Sequence, residues 1–169
     1  MPERNKPAIR LAIVDDAADI ARIYNQGIVD RVATLETVER TSAERVEWLT
    51  AKGERYPVLV SLGAEQNVTG WASLNQYSPR AAYDHVADIS VYVDRAHRGQ
   101  GIGNHLLTSL EEQARAIGFH KLVLAAFPTN TAGVRLYERC GFRTVGIYHE
   151  QGRLDDRWVD TIIMEKLLT

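Results

Sequence analysis

The chain has a single cysteine, Cys140, in 169 residues. That count excludes an internal disulfide framework and a cysteine metal cluster. A basic surplus is also missing: 20 Lys and Arg face 22 Asp and Glu, for a formal charge of -2. Bulk nucleic-acid binding needs such a surplus, so no nucleic-acid partner is expected and any anion site must be local. No segment approaches the ~20 continuous apolar residues of a membrane span, so no membrane partner is expected. "MPERNKPAIR" lacks the apolar core of an export signal, which points to a cytoplasmic protein. The five histidines show no i,i+4 pair or other ligand spacing, and no metal is expected. Repeats, linkers and low-complexity runs are absent.

What is present suits one domain over residues 1–169, with 45% hydrophobic residues to fill a core. "AIRLAIV" reads as a first strand. "DDAADIARIYNQGI" reads as a helix, with acidic residues at its start and Gly27 as its stop. "VDRVATLETVER" is an irregular connection. Thr41 and Glu44 form a capping-box pattern for a helix over "SAERVEWLTAKG" ending at Gly53. "YPVLVSL" and "VTGWASLNQY" read as strands around the turn "GAEQN". After the loop "SPRAAYDH" comes the strand "VADISVYV". A glycine-rich turn follows, then a helix carrying Leu106, Leu107, Leu110 and Ala114 to Gly118. "KLVLAAF" is a buried-looking strand. "TNTAGVRLYERCGF" holds a short helix with Asn and Thr caps, ending at Gly141. "RTVGIYHEQ", "GRLDD" and "RWVDTIIMEKL" read as a closing hairpin. Hairpins mixed with βα units predict an α/β (α+β mixed) fold, with a mixed sheet and helices on its faces.

The turn "RGQGIG" is the most informative segment. A dinucleotide fingerprint, G-x-G-x-x-G, fails because the third glycine would fall at Asn104 or Leu106. A Walker A loop fails because no Gly-Lys-Ser/Thr follows. A tight turn that needs φ > 0 is one reading that remains. The other is R-x-x-G-x-G, with Arg98, Gly101 and Gly103, whose backbone N–H groups at a helix start form a cradle for an anion. This motif resembles that of the GCN5-related acyl-CoA-dependent N-acetyltransferases. "VYV" upstream and "NTAGVRLYERCGF" downstream match the same family, through Asn130, Leu136, Tyr137, Gly141 and Phe142. The resemblance implies a twisted, mostly antiparallel sheet of about seven strands with four helices, and acetyl-CoA as cosubstrate. It also implies that Arg98, Gly99, Gln100, Gly101, Ile102 and Gly103 hold the pyrophosphate of coenzyme A.

Such chemistry needs a base to deprotonate an ammonium, a donor for the tetrahedral oxyanion and an acid for the leaving thiolate. On the period of two, Asp88, Ser90 and Tyr92 share one face of "VADISVYV". Asp88 is either a solvated residue near the strand start or the general base, acting directly or through water. Val91, Tyr92 and Val93 are the candidates for the oxyanion donor and for backbone pairing with the pantetheine amides. Tyr137 is either a core aromatic or, as the resemblance implies, the general acid facing the sulfur. Asn130 suits both a helix N-cap and, by the resemblance, a hydrogen bond to the pantetheine arm. Cys140 has no paired base and is not read as a nucleophile.

"IYNQGIVDRVATLET", "SPRAAYDHVADISVYV" and "GRLDDRWVDTIIMEKLL" resemble the phosphinothricin N-acetyltransferase branch, and within it most of all the arsinothricin N-acetyltransferase group. The resemblance runs over roughly residues 9–168. It implies acetylation of the α-amino group of a glutamate-like amino acid such as arsinothricin, phosphinothricin or methionine sulfoximine, a role in resistance, and a homodimer. A zwitterion with a second anionic head needs a fixed cation. Arg80 is placed to clamp it, with Tyr83 and Tyr92 as hydroxyl donors. Arg31, Thr34 and Leu35 are placed to close the pocket. Arg80 and Arg31 also read simply as surface residues. Two positions depart from the branch: Asp88 stands where Glu is usual, and Tyr137 where the herbicide-type enzymes have His. Another small amine, a protein N-terminus, or a non-catalytic acyl-CoA-binding module are the alternatives.

Overall fold

The structure, a computed structural model, describes residues 6–169. The first five residues, part of the stretch read for an export signal, lie outside them. The strands are β1 (Ala8–Leu11), β2 (Val58–Leu62), β3 (Val68–Gln76), β4 (Val86–Val93), β5 (Lys121–Ala126), β6 (Arg143–Leu154) and β7 (Arg157–Leu167). The helices are α1 (Ala17–Asp30), α2 (Ser42–Ala51), α3 (Ile102–Ile117) and α4 (Thr131–Arg139). The strands form one sheet in the order β1-β2-β3-β4-β5-β7-β6. Every pairing is antiparallel except β4 with β5. The expected element order and the seven-strand mixed sheet with four helices are what the structure has.

Alternation along the strands sends apolar side chains to both faces of the sheet. Leu59, Ala72, Leu74, Ala87 and Ile89 pack with α3 in the larger core, which Val134 and Tyr137 of α4 adjoin. Val58, Val60 and Trp71 pack with Ile20 and Ile23 of α1 on the other face, where Trp48 of α2 joins them. A sheet covered on both faces leaves its ends and edges as the places for a site.

Several boundaries differ from the sequence reading: β1 stops at Leu11, short of Val14, and three others have a clear physical cause. Gly27 does not stop α1; it is buried inside the helix, which ends at Arg31 in the left-handed conformation (φ 56°). A β-carbon at Gly27 would come within 3.3 Å of the Tyr92 ring, so the glycine serves close packing rather than termination. Gly53 does not cap α2 either, because the chain turns extended one residue earlier, at Lys52 (φ -75°, ψ 124°). The turn of the last hairpin is not "GRLDD" as a whole. β6 runs on to Leu154, and Asp155 and Asp156 alone make the turn, both with positive φ (47° and 61°) as a two-residue hairpin loop of primed type requires. The capping box at Thr41 and Glu44, the Asn130 cap and the left-handed glycines Gly118 and Gly141 are present as read.

Candidate active site

The site begins with a fork in the sheet. β4 and β5 pair only over Val86–Asp88 against Lys121–Val123, and then separate. The direction of the freed backbone groups follows from the β3–β4 ladder. Asp94 N–H donates to Thr69 O at 2.9 Å, and Leu74 N–H donates away from β4, to Pro57 O at 3.1 Å. Hydrogen-bonded pairs alternate along an antiparallel ladder. With Gly70 opposite Val93 and Leu74 opposite Ile89, Asp88, Ser90 and Tyr92 therefore spend their backbone groups on β3. Ile89, Val91 and Val93 turn theirs into the fork. Of the backbone candidates, Val91 and Val93 offer N–H and C=O groups there, and Tyr92 contributes its side chain.

Two adjoining cavities fill the fork. One, of about 400 Å³, runs past Val91, Val93, Arg98, Gly99, Gly101, Ile102 and Gly103 to Asn130, Leu136 and Tyr137. The other, of about 290 Å³, holds Asp88, Ser90, Thr34, Leu35, Phe127 and Thr161. Val91, Tyr92, Asn130 and Tyr137 border both.

At the far end of the larger cavity, Gly99 and Gly101 adopt φ 75° and 83°, and Gly101 caps the start of α3. Side chains rarely tolerate this backbone, and their absence leaves the N–H groups of the turn open to an anion. Gly103 acts differently. A β-carbon on it would lie 2.9 Å from Leu136 Cδ2, so it allows α3 and α4 to approach. Gln100 is exposed and is not part of the cavity lining. Arg98 Nε donates to Val93 O at 3.4 Å, and its guanidinium faces Asp30 at 3.5 Å. The turn is anchored from α1: the Asp94 carboxylate accepts from Arg22, Gln26 and Ala96 N–H, at 3.1, 3.2 and 3.2 Å.

At the other end, Asp88 is half-buried, and burial pushes its carboxyl up to about 6, against the pull of the Asn75 amide and the Lys52 ammonium. Across the fork, burial and the nearby Asp88 charge push the Tyr137 phenol up to about 12. A group with that pKa stays protonated at neutral pH and can donate, while Asp88 there is mostly ionised and can accept. The Tyr92 ring stacks on Trp71 at 4.9 Å and meets Tyr24 edge-on at 5.1 Å. Its hydroxyl has Thr34 as hydrogen-bonding neighbour, and burial raises its pKa.

Other expected positions lie elsewhere. Arg80 and Tyr83 are exposed on the turn before β4, outside the lining of both cavities; Tyr83 packs on Tyr77 at 5.2 Å. Arg31 turns to Asp155, with Nε to Oδ2 at 3.1 Å and a terminal nitrogen to Oδ1 at 3.2 Å. Cys140 is half-buried with its thiol directed at Asn104 Oδ1 (3.3 Å). Sequence reasoning passed over Asn75 and Lys52. Asn75 sits opposite Asp88 only through the β3–β4 register; β3 also carries Thr69, Ser73 and Gln76, so nothing in the sequence singled it out.

Known proteins are similar in sequence and fold. The sequence pattern described as the acetyltransferase (GNAT) family matches residues 20–142. The L-methionine sulfoximine/L-methionine sulfone acetyltransferase of Pseudomonas paraeruginosa is 35% identical over 159 residues, covering 94% of this chain and 92% of that protein. The phosphinothricin N-acetyltransferase of Streptomyces coelicolor is 32% identical over 171 residues, covering 99% and 100%. A Sinorhizobium meliloti GNAT superfamily phosphinothricin acetyltransferase, solved in complex with AcCoA, superposes with a TM-score of 0.90 at 29% identity, over 95% of this chain and 88% of that one. The chain belongs to the GNAT acetyltransferase family. It is an N-acetyltransferase that uses acetyl-CoA. Its own residues fit that cosubstrate: left-handed glycines at a helix start for a pyrophosphate, and unpaired backbone along β4 for an amide-bearing arm.

Proposed function

We propose that the protein acetylates the α-amino group of a glutamate-like amino acid of the phosphinothricin, methionine sulfoximine or arsinothricin kind, and so detoxifies it. The observation that carries this reading is the placing of Asp88 and Tyr137 on opposite sides of one fork, with the backbone of Val91 and the Val93 N–H turned into it. Full-length similarity to enzymes named for phosphinothricin and methionine sulfoximine supports the substrate class.

In this reading Gly99, Gly101, Ile102 and Arg98 bind the pyrophosphate, with Gln100 at the rim and Gly103 setting the helix approach. Val91 and Val93 pair with the pantetheine arm, which Asn130 also contacts. A backbone N–H of this strand donates to the developing oxyanion. Asp88 takes a proton from the amine, directly or through a water that bridges the methylene lost relative to Glu. Tyr137 gives a proton to the departing thiolate. Thr34, Leu35 and Tyr92 close over the amino acid. We assign Arg80 and Tyr83 the part of an anion clamp presented by the exposed turn before β4. Arg31 shapes the pocket by fixing the end of α1 to the β6–β7 turn.

We further propose that the chain acts as one domain over 1–169, in the cytoplasm, as a homodimer. Val145, Ile147, Tyr148 and Trp158 are large apolar side chains left exposed on β6 and β7, and a second copy against this edge would cover them.

Release of thiol from acetyl-CoA is the direct test. Turnover with arsinothricin, phosphinothricin or methionine sulfoximine is expected, and absence of turnover with all three would sink the substrate reading. Asp88→Asn is expected to lower kcat/KM by about 10²-fold. Arg80→Ala is expected to raise the amino-acid KM; an unchanged KM removes Arg80 from the site.

A further inference from the structure

Lys52 ends α2 under the sheet, on the face that carries Asp88. Its Nζ donates to Leu74 O at 2.6 Å and to Asn75 Oδ1 at 3.0 Å, with the Trp48 ring 4.9 Å away. An ammonium has three donors and no acceptor, so only the carbonyl end of the Asn75 amide can face it. Ser73 Oγ donates to the same oxygen at 3.0 Å. The amide nitrogen is therefore turned toward β4, where Nδ2 donates to Ser90 Oγ at 3.1 Å. Asp88 is the register partner of Asn75, on the same side of the sheet, and the Asn75 amide pulls its pKa down.

We propose that Lys52 is a positioning residue for the catalytic carboxylate: it holds the Asn75 amide in one orientation, through it orients Asp88, and sets a positive charge on the same side of the sheet. The proposal rests on the reading of Asp88 as the base. The negative group that acts on Lys52 is Asp88, while burial and Arg45 of α2 lower its pKa, to about 8. Asp88 itself titrates at about 6. Between these values both are charged, and the pair works as a unit. The other titratable group beside Asp88 is Tyr137 from α4, whose phenol burial raises. Val123, opposite on β5, brings no charge. Removing the Lys52 charge leaves burial less opposed, so the Asp88 pKa rises.

The test is the pH dependence of kcat/KM at saturating acetyl-CoA. Lys52→Met is expected to move the acid limb up by about one pH unit. That costs roughly threefold in rate at pH 6.5. The loss closes near pH 9, where Lys52 of the native enzyme is also neutral. Lys52→Arg, which keeps a cation, returns the limb toward the native one. Asn75→Ala moves it upward with Lys52 intact, and decides the matter if Lys52→Met does not fold. A limb unmoved in Lys52→Met and Asn75→Ala, or an equal loss at every pH, overturns the proposal. Asp88→Asn separates the two readings: if it keeps the native rate and the native acid limb, Asp88 is not the base and the premise itself fails.

Discussion

A β-carbon added at Gly27 would stand 3.3 Å from Cε1 of Tyr92 and 3.5 Å from Cβ of Ala33. Helix α1 thus rests on the aromatic ring that borders both cavities. The ring cannot yield, because Trp71 stacks on one face and Tyr24 abuts it. Alanine in a helix interior gains up to ~1 kcal/mol over glycine, whereas overpacking costs ~1–3 kcal/mol. Gly27→Ala is expected to lose about 1 kcal/mol net, and so to melt a few degrees lower by calorimetry. A variant as stable as the native protein would show that the ring gives way.

Gly152 makes a second close approach. A β-carbon there would meet Leu35 Cδ2 at 2.5 Å and Cδ1 at 2.7 Å. Leu35 belongs to the connection after α1 and lines the cavity that holds Asp88. The obstacle is the end of a side chain, so Gly152→Ala displaces Leu35 rather than unfolding the hairpin. The expected result is a several-fold higher KM for the amino acid, with an unchanged KM for acetyl-CoA, read from steady-state kinetics. Equal rises in both constants would mean a general loss of structure.

These two glycines also show where sequence reading stops. Periodicity located the strands and helices because each buries one face, and the caps at Thr41 and Asn130 announced their helices through hydrogen-bonding side chains. The glycine turn before α3 was legible because it is local: Gly99, Gly101 and Arg98 lie within four positions. Gly27 and Gly152 read as a helix stop and a turn residue, since the neighbours that require them are far along the chain. The same holds for Asn75 and Lys52, which meet Asp88 only through strand register and the end of α2. Arg31 reads in the sequence as a residue that closes the pocket or as a surface residue. Its partner, Asp155, is 124 positions away.

Tyr137 yields a prediction about protonation. Burial and the Asp88 charge hold its phenol near 12, so it remains a donor throughout the working range. Tyr137→Phe keeps the ring, which meets Phe142 edge-on at 6.0 Å, and removes only the hydroxyl. If that hydroxyl protonates the leaving thiolate, kcat falls roughly 10²-fold while coenzyme A affinity, measured by calorimetric titration, is unchanged. A native kcat would leave Tyr137 with a packing role alone.

Asp88 carries the opposite thermodynamic sign from the other buried carboxylates. Asp16 lies low despite burial, since Arg10 and Ile13 N–H donate to it at 2.7 and 2.8 Å. Such a group stabilises the fold above its ordinary pKa, and that stability is lost as pH falls through its folded pKa. The Asp88 pKa is raised from 3.8 to about 6. The folded state therefore holds its proton more tightly than the unfolded chain. Stability falls as pH rises between those two values, and the whole penalty stands above about 6. Two units correspond to up to about 3 kcal/mol. Asp88→Asn keeps the shape and removes the titration. Denaturant unfolding is expected to find it more stable than the native protein at pH 7, by as much as about 3 kcal/mol, with the difference shrinking toward zero below pH 4. The same variant is expected to be nearly inactive, so the carboxylate would be kept for chemistry at a cost in stability. An Asn variant no more stable at pH 7, or more stable by the same amount at every pH, would show that the buried charge carries no such penalty.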